Sequence, residues 1–382
     1  MKNRIYFLDN LRISAIFLLI LLHSAIIFTG WNWHLSSKKD SEIFRVFCLF
    51  VHEWRMPLLF FIAGSSSFLS LKNKSEFEFL KDRAKRLLIP LFSGIIILVP
   101  PQVYIERLDR FSDYISFYPN FFNGIYPEGN FFWHHLWFLG YLFLYSFILY
   151  FILKYKILNF DFLEKSLLNN KIELNLKYPL DIISYIRISF LIIFILFIAQ
   201  VILRPFYFND THALFNDWAN FFHNFLFFLL GYLYSNYNLY DYFDLSIINN
   251  FILGVLSFIL LFLHYYFKIE YNYNLNLYEN IIIRFFLKAM MGWFWIAFFI
   301  GLFMKFFNYS NDTLKELSIA VYPIYLIHQT IIVVIGYYII NIDINIFLQY
   351  LIICIVTIVL SLLFYFLILK KISFLRIFFG IK

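Results

Sequence analysis

The sequence predicts an all-α fold: a polytopic transmembrane helix bundle of about ten spans with both termini cytoplasmic. Three observations predict it. The 382 residues are 62% hydrophobic and only 14% charged, with a mean hydropathy of +0.74, whereas a soluble chain is about 45–50% apolar and about 25% charged. The apolar residues come in runs long enough to cross about 30 Å of hydrocarbon: 13–30 holds one ionisable residue and 346–369 holds none. Lysine and arginine are also distributed asymmetrically. With the N-terminus inside, the inner segments hold 21 of them and the outer segments seven; Arg55, Arg284 and Lys288 lie in or beside spans. That bias is the positive-inside pattern, and an even number of spans agrees with it.

The expected spans are roughly 11–31, 55–72, 86–105, 132–153, 188–204, 217–235, 248–267, 280–304, 318–340 and 345–369. The first runs on to Trp31, Trp33 and a polar stretch with no small-residue cleavage pattern, so it reads as a retained span rather than a signal peptide. Ser41–Trp54 looks amphipathic and is expected at the interface ahead of the second span. Pro90 marks the start of the third and Pro100-Pro101 its end, a kink that a membrane helix tolerates where neighbours satisfy the freed carbonyls. The longest loop, about 155–186, is too short for a separate domain, so residues 1–382 read as a single domain. Cys48 and Cys354 are too few and too distant for a disulfide framework, and no zinc-ligand spacing occurs, so no metal is expected. The basic residues flank spans, which argues for a membrane-facing role and against nucleic acid as a partner.

Titratable side chains at membrane depth cost several kcal/mol on insertion scales, so they carry the information. Arg12 and His23 are eleven residues apart, which places them within about 20° on one helix face and about 16 Å apart along it. Arg12 therefore sits at the cytoplasmic edge, where Asp9 can hold it, and His23 lies near the midplane. A midplane imidazole serves as a general base or an acyl-accepting nucleophile, or else hydrogen-bonds another helix. In the ninth span His328 is at a similar depth, with Tyr325 one turn before it and Pro323 breaking a backbone bond nearby. Two histidines from different helices can thus meet at one depth. Arg83 and Arg86, one turn apart at a cytoplasmic helix start, suit a phosphate group or act as a positive-inside anchor. On the outer side, His52, Glu53 and Arg55 begin span two, and Trp133, His134, His135 and Trp137 begin span four. These either stack on and hydrogen-bond a sugar or form an aromatic belt. Arg284 and Lys288 share one face of span eight and either receive an anionic substrate or balance Glu279.

Five segments together resemble the acyltransferase 3 family of integral membrane O-acyltransferases. They are Leu8-Asp-Asn-Leu-Arg12 followed by His23; Arg55-Met-Pro-Leu-Leu-Phe-Phe-Ile-Ala-Gly64; Arg83-Ala-Lys-Arg86-Leu-Leu-Ile-Pro90; His135-Leu-Trp-Phe-Leu139; and Tyr322-Pro-Ile-Tyr-Leu-Ile-His328-Gln329. Val99-Pro-Pro-Gln102 and the Tyr322…His328-Gln329 wording are most similar to the branch that succinylates periplasmic glucans. The resemblance implies about ten membrane helices in a bacterial inner membrane. It also implies transfer of an acyl group, acetyl or succinyl, from cytoplasmic acyl-CoA to a carbohydrate-type acceptor on the far side. Under it His23 is the catalytic candidate and Arg12 its donor-side partner, with Tyr325 and His328 completing or supporting the site. Arg83 and Arg86 would meet the phosphates of acetyl-CoA or succinyl-CoA. His52, Glu53, His135 and Trp137 would face the glycan or glycolipid acceptor. Some members append an extracytoplasmic hydrolase-like domain. This chain ends soon after its last span, so the expectation is direct acylation within the bundle or completion by a separate extracytoplasmic partner protein. The rival reading is a secondary transporter or flippase for a glycan or lipid-linked precursor, which also uses midplane ionisable residues. No paired halves with broken helices in corresponding positions are visible to support it.

Overall fold

A computed structural model describes residues 5–157, 182–270 and 277–381, with the side chains of 182–184, 267–270 and 277–281 left aside. The expected loop beyond Ile157, the Glu279 side chain and the charges of Lys2, Arg4, Lys165, Lys171, Lys177, Lys268 and Lys382 lie outside the described residues. The fold is all-α. Among the described residues the one sheet-like pairing is an isolated bridge between Ile125 and Phe131. The helices are α1 (Tyr6–Ile26), α2 (Glu42–Leu71), α3 (Glu76–Ile97), α4 (Pro100–Glu106), α5 (Tyr114–Asn120), α6 (Trp137–Lys154), α7 (Ile182–Leu203) and α8 (Trp218–Asn236). They continue with α9 (Asp241–Leu245), α10 (Ile247–Glu270), α11 (Leu277–Phe306), α12 (Asp312–Ile339), α13 (Ile346–Leu363) and α14 (Ser373–Arg376). Helix is what an apolar chain must form where no water can satisfy its backbone. Side chains cap helix starts: Asp113 accepts from the Ser116 amide ahead of α5, Asn311 from the Leu314 amide ahead of α12, and Asn345 from the Phe347 amide ahead of α13.

Among the described residues nine helices are long and apolar enough to cross a membrane. The remaining expected span, 217–235, is the 19-residue helix α8. Asn220, His223, Asn224 and Ser235 interrupt its apolar run. The segment expected as a separate interfacial stretch, Ser41–Trp54, instead continues into the second span as the single 30-residue helix α2. Its Phe44, Cys48, Val51 and Trp54 are all buried, a spacing of three to four residues that gives the stretch its own helical packing stripe.

The helices fall into two compact units. The first contains Met1–Leu11, His52–Lys81 and Leu144–Tyr309. There α10 packs along α11, and α7 packs on α8 and α11. The α2 and α8 backbones approach so closely that a Cβ on Gly64 would strike the Phe228 carbonyl, and one on Gly231 the Phe61 carbonyl. The Ser65 hydroxyl donates to the Gly231 carbonyl at 3.0 Å. This is the small-residue packing that membrane helices use in place of a hydrophobic driving force. The second unit contains Arg12–Val51, Asp82–Phe143 and Ser310–Lys382. There α12 packs on α13 and on the short helix α4.

Candidate active site

The site grows from two rungs that join α1 to α12. At the first rung Arg12 Nη2 donates to the Ser318 carbonyl at 3.0 Å and to its hydroxyl at 2.8 Å. At the second, eleven residues along α1 and ten along α12, His23 Nδ1 lies 3.1 Å from His328 Nε2. Helices joined twice at nearly equal spacing run parallel, so both histidines sit about 15 Å beyond the Arg12 level. The sequence expectation of two imidazoles at one depth is met in the geometry.

Hydrogen-bond chemistry then assigns the tautomers. His328 is fully buried, and its Nδ1 lies 2.6 Å from the Tyr325 carbonyl. A carbonyl only accepts, so Nδ1 carries the hydrogen, and neutral His328 keeps its lone pair on Nε2. That lone pair accepts from His23 Nδ1–H, which leaves the His23 lone pair on Nε2. These bonds fix the orientation of the His23 ring, and an imidazole held in this way can take up a proton at Nε2 while its Nδ1–H bond to His328 stabilises the imidazolium.

Two side chains brace this pair. Tyr325 directs its hydroxyl away from the histidines, donating to the His135 carbonyl at 2.6 Å. His135 in turn donates from Nε2 to the Leu326 carbonyl at 2.9 Å, and its ring stands edge-on to His328 at 5.5 Å. His135 is therefore buried against the pair rather than set at an outer surface. Trp137 is buried with its ring against Tyr141 at 4.9 Å. The Pro100-Pro101 break supplies a further tie. The Gln102 amide turns to Val99, and the Leu98 carbonyl instead accepts from Gln102 Nε2 at 2.9 Å and from the Thr330 hydroxyl at 2.6 Å. Gln329 Nε2 donates to Gln102 Oε1 at 3.1 Å, so the residue after His328 is anchored to the same break.

At the Arg12 end, Arg83 is half-buried within electrostatic reach of Arg86, Arg12 and Tyr322. The Tyr322 hydroxyl donates to the Arg86 carbonyl at 2.7 Å, which fixes α3 to α12 one turn before Tyr325. Three guanidinium groups thus gather at one end of the helices whose other end holds the histidine pair. Guanidinium clusters of this kind match the oxygens of phosphate groups.

Residues 5–366 match the acyltransferase domain that defines the acyltransferase 3 family. The chain belongs to that family. Among curated proteins it is similar to glucans biosynthesis protein C of Escherichia coli strain SMS-3-5, at 33% identity over 100 residues, and to that of Escherichia coli strain K12, at 32% over 100 residues. Each match covers 26% of this chain and 26% of the relative. No solved structure matches the chain.

Two of the expected outer residues of this acyltransferase-family chain, His52 and Glu53, lie in the first unit. There Glu53 is paired with Lys288 at 2.8 Å, both side chains nearly buried. Lys288 thus balances Glu53, and the Arg284 guanidinium lies over the Tyr265 ring at 5.4 Å. Sequence reasoning missed a group in the second unit. His34 Nδ1 meets Glu106 Oε2 at 2.5 Å, the His34 ring lies 4.6 Å from that of His134, and Trp33 lies 5.4 Å from His34 and 5.9 Å from His23. The Tyr126 hydroxyl also bonds Glu106; burial and then the Glu106 charge push its pKa up to about 12, so it remains a donor at physiological pH. His34 and Glu106 are 72 residues apart, one in a loop and one at a helix end, so no periodicity could have paired them.

Proposed function

We propose that this chain is a membrane-embedded O-acyltransferase, acting as a single domain, that moves an acetyl or succinyl group from cytoplasmic acyl-CoA to a carbohydrate-type acceptor on the extracytoplasmic side of a bacterial inner membrane. The observation that carries this reading is the His23–His328 pair. It presents one oriented imidazole lone pair on α1, about 15 Å along that helix from the Arg12 guanidinium, which lies with Arg83 and Arg86 of α3 at the other end. The family membership supports acyl transfer, and the name of the E. coli relatives, glucans biosynthesis protein C, supports a glucan-type acceptor.

In this mechanism Arg83 and Arg86 hold the phosphates of coenzyme A, and Arg12 draws the donor toward α1. The pantetheine arm lies along the helices and brings the thioester to His23. His23 Nε2 removes the proton from the acceptor hydroxyl as its oxygen bonds to the thioester carbonyl carbon. The carbon–sulfur bond breaks, the thiolate takes that proton, and the products are the ester and coenzyme A. His328 holds His23 throughout through the Nδ1–H bond. With the termini cytoplasmic, the donor end faces the cytoplasm and the Glu106 end faces outward.

The test is acyl transfer from radiolabelled acyl-CoA to glucan oligosaccharides by the purified protein in lipid nanodiscs. His23→Ala should lower kcat by about 10²–10⁴, the usual contribution of a positioned base. A variant that transfers at the native rate would sink the mechanism.

A further inference from the structure

The cluster around Glu106 has features that the transfer step does not use. Glu106 already receives His34 Nδ1–H and the Tyr126 hydroxyl, yet its side chain keeps 20% of its exposure. In the neutral ring, donation to Glu106 leaves the His34 lone pair on Nε2. His134 Nε2 is buried and has no hydrogen-bond partner among the described residues. The His134 backbone stands at φ +42°, a left-handed conformation that costs energy in a residue with a Cβ and that holds the ring against His34. Beside these atoms stands the half-buried indole of Trp33, with its ring 5.9 Å from that of His23 and 5.4 Å from that of His34.

The chemistry of this set selects its ligand. Glu106 only accepts, and each histidine Nε2 donates or accepts according to its tautomer, so the ligand must bring groups that can do both, as hydroxyls can. The one guanidinium nearby, Arg107, is already held by Asn130 Oδ1, by the Pro127 carbonyl at 2.6 Å and over the Tyr126 ring, so no positive charge is left for an anion. The Glu106 charge is met by His34, Tyr126 and Arg107, so a cation is not required either. A neutral ligand with several hydroxyl donors and an apolar ring face fits: hydroxyls to Glu106 and the histidine nitrogens, and ring C–H bonds on the indole. The two steps through Trp33, 5.9 and 5.4 Å, keep His34 within about 11 Å of His23. That is the reach of a second sugar unit when the first is at the base.

We propose that Trp33, His34 and Glu106 form an acceptor subsite for the sugar unit next to the one acylated at His23, so that the protein prefers an oligosaccharide to a monosaccharide. This rests on the carbohydrate acyltransferase reading above. The test compares kcat/KM for glucose and for gluco-oligosaccharides of increasing length, with whichever of acetyl-CoA and succinyl-CoA the wild type uses. The wild type should gain about tenfold in kcat/KM from one unit to two or three, chiefly through KM. In Glu106→Gln and Trp33→Ala the ratio of oligosaccharide to glucose kcat/KM should collapse toward one, and Trp33→Phe should restore part of it. Coenzyme A binding, read by calorimetry, reports whether each variant is folded. Two results overturn the subsite alone: a wild type without length preference, or folded variants that keep the wild-type ratio. A wild type that acylates no carbohydrate overturns the parent reading, and the subsite falls with it.

Discussion

In the proposed mechanism one hydrogen bond makes buried His328 the partner of a base. Its Nδ1–H is held by the Tyr325 carbonyl, so its only role toward His23 is to accept. His328→Asn keeps a polar side chain but loses the imidazole that fixes the His23 tautomer. It should lower kcat by about 10²-fold with KM for acyl-CoA little changed, as steady-state kinetics would show. Outside the spans, Asp210 gives a prediction in pH. Burial raises its carboxyl, but the charge of Arg204, paired at 2.6 Å, outweighs that and holds it well below the ordinary carboxylate range. A depressed folded pKa contributes stability that is fully present above the unfolded value of about 3.9 and is lost as pH falls through the folded one. Asp210→Asn should therefore cost about 1–2 kcal/mol near pH 7, a modest figure because the carboxylate is partly exposed and Arg204 keeps Gln200 Oε1 as an acceptor. The melting-temperature gap to wild type should stay flat down to about pH 5 and narrow below about pH 4. A gap that widens in acid would refute the pairing. At this scale the sequence showed the Arg12–His23 and His328 depths, because a helix turns distance along the chain into distance along an axis. His34 with Glu106 and Lys288 with Glu53 were not legible, since each meets across elements whose packing no local pattern encodes.

Among the elements, two features carry the packing of the helices. In the second unit, Pro100 and Pro101 free a carbonyl that Gln102 and Thr330 satisfy, so the sequence pair of prolines reads correctly as a kink with a neighbour's help. In the first unit, Gly64 and Gly231 face backbone carbonyls of the opposite helix. Backbone cannot swing aside, so Gly64→Ala or Gly231→Ala should cost about 3 kcal/mol, the upper range for overpacking. At Gly254 a Cβ would meet only the Trp295 ring, nearest atom 3.1 Å, so Gly254→Ala should cost about 1 kcal/mol. Thermal unfolding of the three purified variants checks this, and equal losses would disprove the backbone argument. The packing role of these glycines was not legible in the sequence because a close approach needs both partners at once. The amphipathic stretch before the second span was seen correctly as amphipathic, but its stripe is buried in protein along the continuous helix α2.

For the whole molecule, the proposed function depends on sidedness. The charge bias of 21 inner against seven outer lysines and arginines sets the orientation expected of the chain. Arg12, Arg83 and Arg86 belong to the basic side of that count, and the first rung of α1 and α12 lies at that end. The His23 level lies about 15 Å further along α1, and Trp33 links it to the Glu106 group. Donor and acceptor should then arrive from opposite faces, with the histidine pair as the meeting point. Sealed vesicles distinguish the two approach routes. Inside-out vesicles loaded with gluco-oligosaccharide should accumulate acylated sugar in their lumen when acyl-CoA is added outside. Right-side-out vesicles given the same additions should stay inactive until they are permeabilised. Arg83→Ala with Arg86→Ala should raise the acyl-CoA concentration needed for half-maximal transfer by about tenfold or more in the inside-out case, since two charge-assisted contacts are lost. Equal activity in both vesicle types, or acylation only when donor and acceptor share one compartment, would place both substrates on one side and remove the reason for a base at membrane depth.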